Sequence, residues 1–117
     1  MTKTNPQLIA LIEILEEAAD EHEAAIWRDI ARRLQKSSQR WAEVNVDEIA
    51  KHLNDGETAL VPGKVLGSGI APKMDVAAFS FSRSAREKIE AAGGTCLSIR
   101  DLVDQKSDGR NVRIIGG

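Results

Sequence analysis

The sequence predicts an α+β fold, and three observations carry that reading. Residues 1–57 are dominated by apolar residues at helical spacing. Residues 58–117 alternate short strand-like runs with short helices. Early in the second half lies Val61–Gly69, a stretch with three of the nine glycines and one of the three prolines. The 117 residues fit one domain spanning 1–117, mainly helical to 57 and of alternating short strands and helices from 58. A hydrophobic content of 42% supports a modest core. With two Phe, two Trp and no Tyr, that core must be built mainly from Ile, Leu, Val and Ala. No repeat with a period of 20–50 residues and no low-complexity linker divides the chain.

Taken in order, Thr4 or Asn5 can cap a first helix that begins at Pro6, a favoured first-turn residue. Leu8, Leu11, Ile12, Leu15, Ala18 and Ala19 form its apolar stripe, and Glu13, Glu16, Glu17, Asp20 and Glu21 its acidic face. A second helix is expected from about Glu23 to Lys36. Ile26, Trp27, Ile30, Ala31 and Leu34 face inward on it, Arg28, Arg32 and Lys36 line one outer face, and Arg33 lies beside them. Asn45 with Glu48 has the spacing of a capping box, before a short helix that carries Ile49 and Leu53 inward and stops near Asn54–Gly56. Thr58–Val61 reads as a strand, followed by a glycine loop that ends at Pro72 and Lys73. Asp75–Phe81 is the next strand, with Ala77, Phe79 and Phe81 on one face and Val76, Ala78 and Ser80 on the other. Ser82 or Ser84 caps a helix ended by Gly93–Gly94, with Gly93 placed for a left-handed cap. Thr95–Ser98 is a short strand, and Ser98 with Asp101 opens a helix containing Ile99, Leu102 and Val103. Ser107–Gly109 is a turn before a final strand, Asn111–Ile115, with Arg110 and Arg113 exposed.

The glycine stretch can be read in two ways. It is a long turn between strands, or a segment whose bare backbone approaches a phosphate with Lys64 supplying charge. Two nucleotide loops are excluded. A triphosphate loop needs glycine where Thr58 stands and Ser or Thr where Val65 stands, and a dinucleotide loop needs glycine where Pro72 stands. An enzyme that holds a phosphate ligand here is the alternative function, but only Ser68 and Asp75 lie near as reacting groups and the segment has no histidine.

The net charge of −2 argues against a simple nucleic-acid coat, and its distribution is more informative. Lys3–Glu23 holds six acids and one base, Trp27–Trp41 five bases and one acid, and Thr58 onward nine bases and six acids. Lys36-Ser37-Ser38-Gln39-Arg40-Trp41 is short, polar and cationic. Its cations suit phosphates, Ser and Gln suit sugars, and the indole suits a base or a partly buried anchor. Arg83 in a first helical turn opposes the helix dipole and suggests an outside anion. The acidic first helix can serve as a solvated face or as a protein-interaction surface. Cys96 cannot form an internal disulfide and lies in an apolar run that suits a buried structural thiol. With His22 and His52 apart, no metal-ligand spacing is present, so no metal, cofactor or catalytic residue is expected. No apolar run approaches the roughly 20 residues that span a bilayer. The N-terminus lacks a signal-peptide pattern, so the chain is expected to be soluble and cytoplasmic.

Four features together resemble a known family. They are Thr2-Lys3-Thr4-Asn5-Pro6 before the first helix, and Leu34-Gln35-Lys36 through Arg40 leading into Glu43-Val44-Asn45-Val46. The third is Val61-Pro62-Gly63-Lys64-Val65-Leu66-Gly67-Ser68-Gly69. The fourth is Phe81-Ser82 before a helix with Ala85, Lys88 and Ile89 that ends at Ala92-Gly93-Gly94. In this order the chain resembles the archaeal and eukaryotic large-ribosomal-subunit protein eighteen, the counterpart of bacterial large-subunit protein fifteen. The resemblance implies helices followed by a small core of irregular strand–strand–helix turns. It implies a structural constituent of the large ribosomal subunit, non-enzymatic and ribosome-bound, that supports translation. The implied partners are large-subunit ribosomal RNA and neighbouring large-subunit proteins, with no membrane and no homo-oligomer. The expected RNA-binding residues are Arg32, Arg33, Lys36, Ser37, Ser38, Gln39, Arg40, Trp41, Lys64, Gly67, Ser68, Gly69, Lys73, Arg83 and Arg86. Two departures stand out. Ser37, Ser38 and Gln39 replace the proline and extra bases usual after Lys36, and the chain is less basic than many ribosomal proteins. Either shape and assembled neighbours carry more of the contact, or the protein works in a salty cell interior where charge is screened.

Overall fold

The computed structural model describes residues 5–116. In order, α1 is Pro6–Glu21, α2 Ala25–Leu34, β1 Ala42–Asn45, α3 Val46–His52, β2 Thr58–Leu66, β3 Asp75–Phe81, α4 Arg83–Ala91, β4 Thr95–Ser98, α5 Ile99–Gln105 and β5 Val112–Ile114. A single 3-10 turn covers Ser38–Arg40.

The strands form one parallel sheet in the order β1-β2-β3-β4. β5 pairs with Thr58–Leu60 of β2 and β1 with Gly63–Leu66, so the two share one side of β2 at different heights. A parallel sheet must be covered on both faces. On one face α1, α2 and α5 pack Leu15, Trp27, Ile30, Leu34, Ile99 and Leu102 over Leu60 and Ala77. On the other, α3 and α4 pack Val46, Ile49, Ala85 and Ile89 over Ala59, Val61, Val65 and Val76. Trp27 is fully buried, and its indole N–H is satisfied by the Ser107 carbonyl at 2.8 Å, which ties α2 to the turn after α5.

Local signals set most element ends. The Asn5 side chain accepts from the Gln7 and Leu8 amides, at 3.0 and 3.3 Å, and caps α1. The other candidate cap, Thr4, and the Thr2–Thr4 part of the resemblance lie outside the described residues. Ser82 caps α4 and Ser98 caps α5 through the Ala85 and Asp101 amides. Gly93 takes φ +87° just past α4, the left-handed cap that its position predicted.

Several expectations are corrected. The second helix is shorter than Glu23–Lys36 because Glu23 adopts φ 50° in the α1–α2 turn and Ala24 precedes the first helical residue. The strand expected over Thr58–Val61 continues to Leu66, so most of the glycine stretch is sheet rather than loop. Pro62 is tolerated there because the position needs no N–H donor: it lies between the β5 and β1 pairings, at a bulge where one extra β2 residue interrupts the ladder to β3. β1 is not among the expected strands; of its four residues only Asn45 has an expected structural role, as a helix cap. Asn45 makes no cap bond to α3; its side chain accepts the Ser68 amide instead, at 3.2 Å. Phe81 leaves the Ala77/Phe79 face at the strand end and packs with the second cluster, under Arg86.

The β2–β3 connection, residues 67–74, has no helix. In a parallel pair it must return from the end of one strand to the start of the next. Seven residues of β3 rise ~23 Å, and eight connecting residues reach at most ~29 Å. The connection is therefore a strap with little slack, bent at Gly69 and Lys73. It lies on the α3/α4 face, where Ala71 and Met74 join the core.

Candidate nucleic-acid interface

All the expected RNA-binding residues but Lys73 fall into three places. The first is the connection from α2 to β1. Lys36, Ser37, Ser38, Gln39 and Arg40 are all exposed. Trp41 is half-buried. Its indole N–H donates to the Lys36 carbonyl at 3.1 Å, and its ring meets Phe79 edge-on with centroids 4.7 Å apart. Its donor and one flank are thus engaged inside the protein, which makes it the anchor that folds the cationic turn back onto the sheet. Arg32 is exposed, whereas Arg33 is engaged with Asp29 at 3.0 Å and with the Gly116 carbonyl at 3.2 Å. Arg28 pairs with Asp20 of α1, so the line of bases expected along α2 is partly answered from within.

The second place is the upper half of the sheet. Lys64 is exposed in register with exposed Glu43 of β1 and exposed Ser80 of β3. Ser80 follows Phe79, which touches Trp41, so the fold brings Lys64 close to the cationic turn. Glu43, which is not among the expected contact residues, places an acid beside that lysine.

The third place is the start of the strap. Gly67, Ser68 and Gly69 lie against the first turns of α3 and α4. A Cβ on Gly67 would strike Ser84, and one on Gly69, at φ +95°, would strike Asp47. The Lys88 ammonium donates to the Gly67 and Gly69 carbonyls at 2.6 and 2.7 Å. The Asp47 amide donates to the Ser68 carbonyl at 3.4 Å. Arg83 and Arg86 stand on α4 next to this loop. Arg83 is exposed and pairs with Glu87 at 3.4 Å, and the Arg86 guanidinium lies 5.1 Å from the Phe81 ring centroid. Ile70, the next residue of the strap, is 86% exposed. Sequence reasoning missed it and Lys88; the alternation of glycines around Ser68 was the available signal for a held loop.

Lys73 is separate. It precedes β3 and approaches Gly93, at the opposite end of the strand from Phe81 and the loop.

Two other polar features shape the surroundings without joining the site. Glu57 accepts from Arg113 at 2.8 Å and from the Asn54 amide at 2.8 Å, and these bonds hold its carboxyl below the usual range. Burial pushes the half-buried Cys96 thiol up, so it rests protonated. Among the described residues no group of His, Cys, Asp and Glu is arranged to hold a metal ion, and no helix is long and apolar enough to cross a membrane.

Residues 2–117 match the family described as ribosomal protein 60S L18 and 50S L18e. The large ribosomal subunit protein eL18 of Methanothermobacter thermautotrophicus is 47% identical over 116 residues, covering 98% of this chain and 96% of the relative. Those of Archaeoglobus fulgidus and Halobacterium salinarum are 44% and 45% identical, each over 98% of this chain and 99% of the relative.

Proposed function

Since this chain belongs to the family of ribosomal protein 60S L18 and 50S L18e, we propose that it is a structural constituent of the large ribosomal subunit that binds large-subunit ribosomal RNA and supports translation. Family membership over nearly the whole chain carries this reading. It is ribosome-bound and cytoplasmic, acts as a scaffold rather than an enzyme, and touches neighbouring large-subunit proteins where it does not touch RNA. The chain works as one domain, a reading supported by β1 of the helical half pairing with β2 of the strand-rich half.

The contact surface is the Lys36–Arg40 turn with Arg32, Lys64 on the sheet, and the Gly67–Gly69 loop with Arg83 and Arg86. Exposed cations meet phosphates, while Ser37, Ser38 and Gln39 reach sugars or phosphates. At the loop, whose glycines pack against α3 and α4, the exposed residues Ser68, Gly69 and Ile70 come up to the RNA. Arg33 and Trp41 support this surface from behind, and Lys73 provides a separate contact at the far end of β3. The enzyme alternative is disfavoured by geometry. Ser68 is tied by its backbone to Asn45 and Asp47, while Asp75 begins β3 at the end away from Ser68.

Sedimentation of a cell extract on a sucrose gradient tests the reading. Co-migration with large subunits and intact ribosomes, abolished by ribonuclease, is expected. Migration solely as free protein would overturn it.

A further inference from the structure

We propose that Lys88 is a positioning residue: its ammonium holds the Gly67–Gly69 backbone in the shape that meets the RNA, and its charge is used within the protein rather than on a phosphate. This rests on the ribosomal-RNA reading above.

Three consecutive residues are fixed by three different elements. Lys88 of α4 binds the carbonyls of Gly67 and Gly69 at 2.6 and 2.7 Å. Asn45, at the end of β1, accepts the Ser68 amide at 3.2 Å, and Asp47 of α3 donates to the Ser68 carbonyl. A lysine has three donors and no acceptor, so one ammonium can serve two carbonyls at once. Without it a segment with two glycines would sample many shapes and lose that freedom on binding, which weakens association. The ammonium also masks two carbonyl dipoles whose negative ends would otherwise repel a phosphate. What the held loop turns outward is the Ser68 side chain and Ile70, the latter 86% exposed.

The test uses the full chain, Lys88→Gln, and Lys88→Met as a second variant that keeps the aliphatic stem. Backbone amide exchange at residues 68–71 is measured in the free proteins. Affinity for purified large-subunit ribosomal RNA of Methanothermobacter thermautotrophicus is measured across a salt series. In both variants the loop amides should exchange faster, and binding should weaken by about tenfold at fixed salt. The slope of log affinity against log salt should stay as in the wild type, because no phosphate contact is lost. A slope reduced by about one, with unchanged loop exchange, would make Lys88 a phosphate ligand and overturn the proposal. Unchanged binding in both variants also overturns it. Failure of the wild-type protein to bind the RNA would instead strike the ribosomal-RNA reading, and this inference with it.

Discussion

Gly63 and Gly56 are the same residue type placed for different reasons. A Cβ on Gly63 would land on the Ala42 carbonyl oxygen, so the close pairing of β1 with β2 requires its absence. Gly56 has open space around it but takes φ +81°, so only its backbone conformation resists a side chain. Gly63→Ala should therefore cost about 3 kcal/mol by forcing two backbones apart, and Gly56→Ala about 1 kcal/mol. Urea midpoints of the two variants check this, and equal losses would refute the steric account of Gly63. Glu57 gives a pH prediction at the same scale. Its folded carboxyl is held low by Arg113 and the Asn54 amide, so the stability it contributes is present above the usual glutamate value of 4.5 and lost as pH falls through the lower folded value. The melting-temperature gap between wild type and Glu57→Gln should be widest above pH 4.5 and close on acidification. Both side chains of the pair reach solvent, so the gap is small.

At the scale of elements, two residues of cap type behave differently. Ser98 caps α5 through the Asp101 amide at 3.0 Å, and Ser98→Ala should cost about 1 kcal/mol. Asn45 precedes α3 without capping it and holds the Ser68 amide, so Asn45→Ala should leave α3 intact and speed amide exchange at Ser68. Exchange in α3 rising as much as at Ser68 would contradict this division. The sequence made these two residues look alike, since each is followed three residues later by an acid. Which one caps depends on whether another element offers a competing donor, and spacing along the chain carries no record of that.

For the whole molecule, charge is divided by place. The acidic residues Glu13, Glu16 and Glu17 are exposed on α1, and the exposed cations of the proposed contact surface lie on α2, the α2–β1 turn, the sheet and α4. Reversing Glu13, Glu16 and Glu17 to Lys should leave incorporation into large subunits nearly intact, read as occupancy in sedimented subunits. Changing Arg40 and Lys64 together to Ala should lower that occupancy and reduce the salt slope of RNA binding by roughly one per residue removed. Full occupancy of the double variant at limiting protein would remove both residues from the interface.

The sequence by itself determined the helical and strand periodicities, the cap at Ser98, the choice of Thr4 or Asn5 and of Ser82 or Ser84 as caps of α1 and α4, the end of α4 at Gly93 and the resemblance to a ribosomal family. All of these are written in neighbours along the chain, within a turn or a strand. Tertiary structure alone decided that Pro62–Leu66 is strand rather than loop, because β1 and β3 pair with it across distances that no local pattern encodes. It alone turned Arg33 toward the Gly116 carbonyl, seated Trp41 on Phe79, and sent Lys88 across to Gly67 and Gly69. Each of those contacts joins residues whose chemistry is visible in the sequence. Whether they meet depends on how a parallel sheet twists, stacks and is crossed by its connections, and that geometry exists only once the chain has folded.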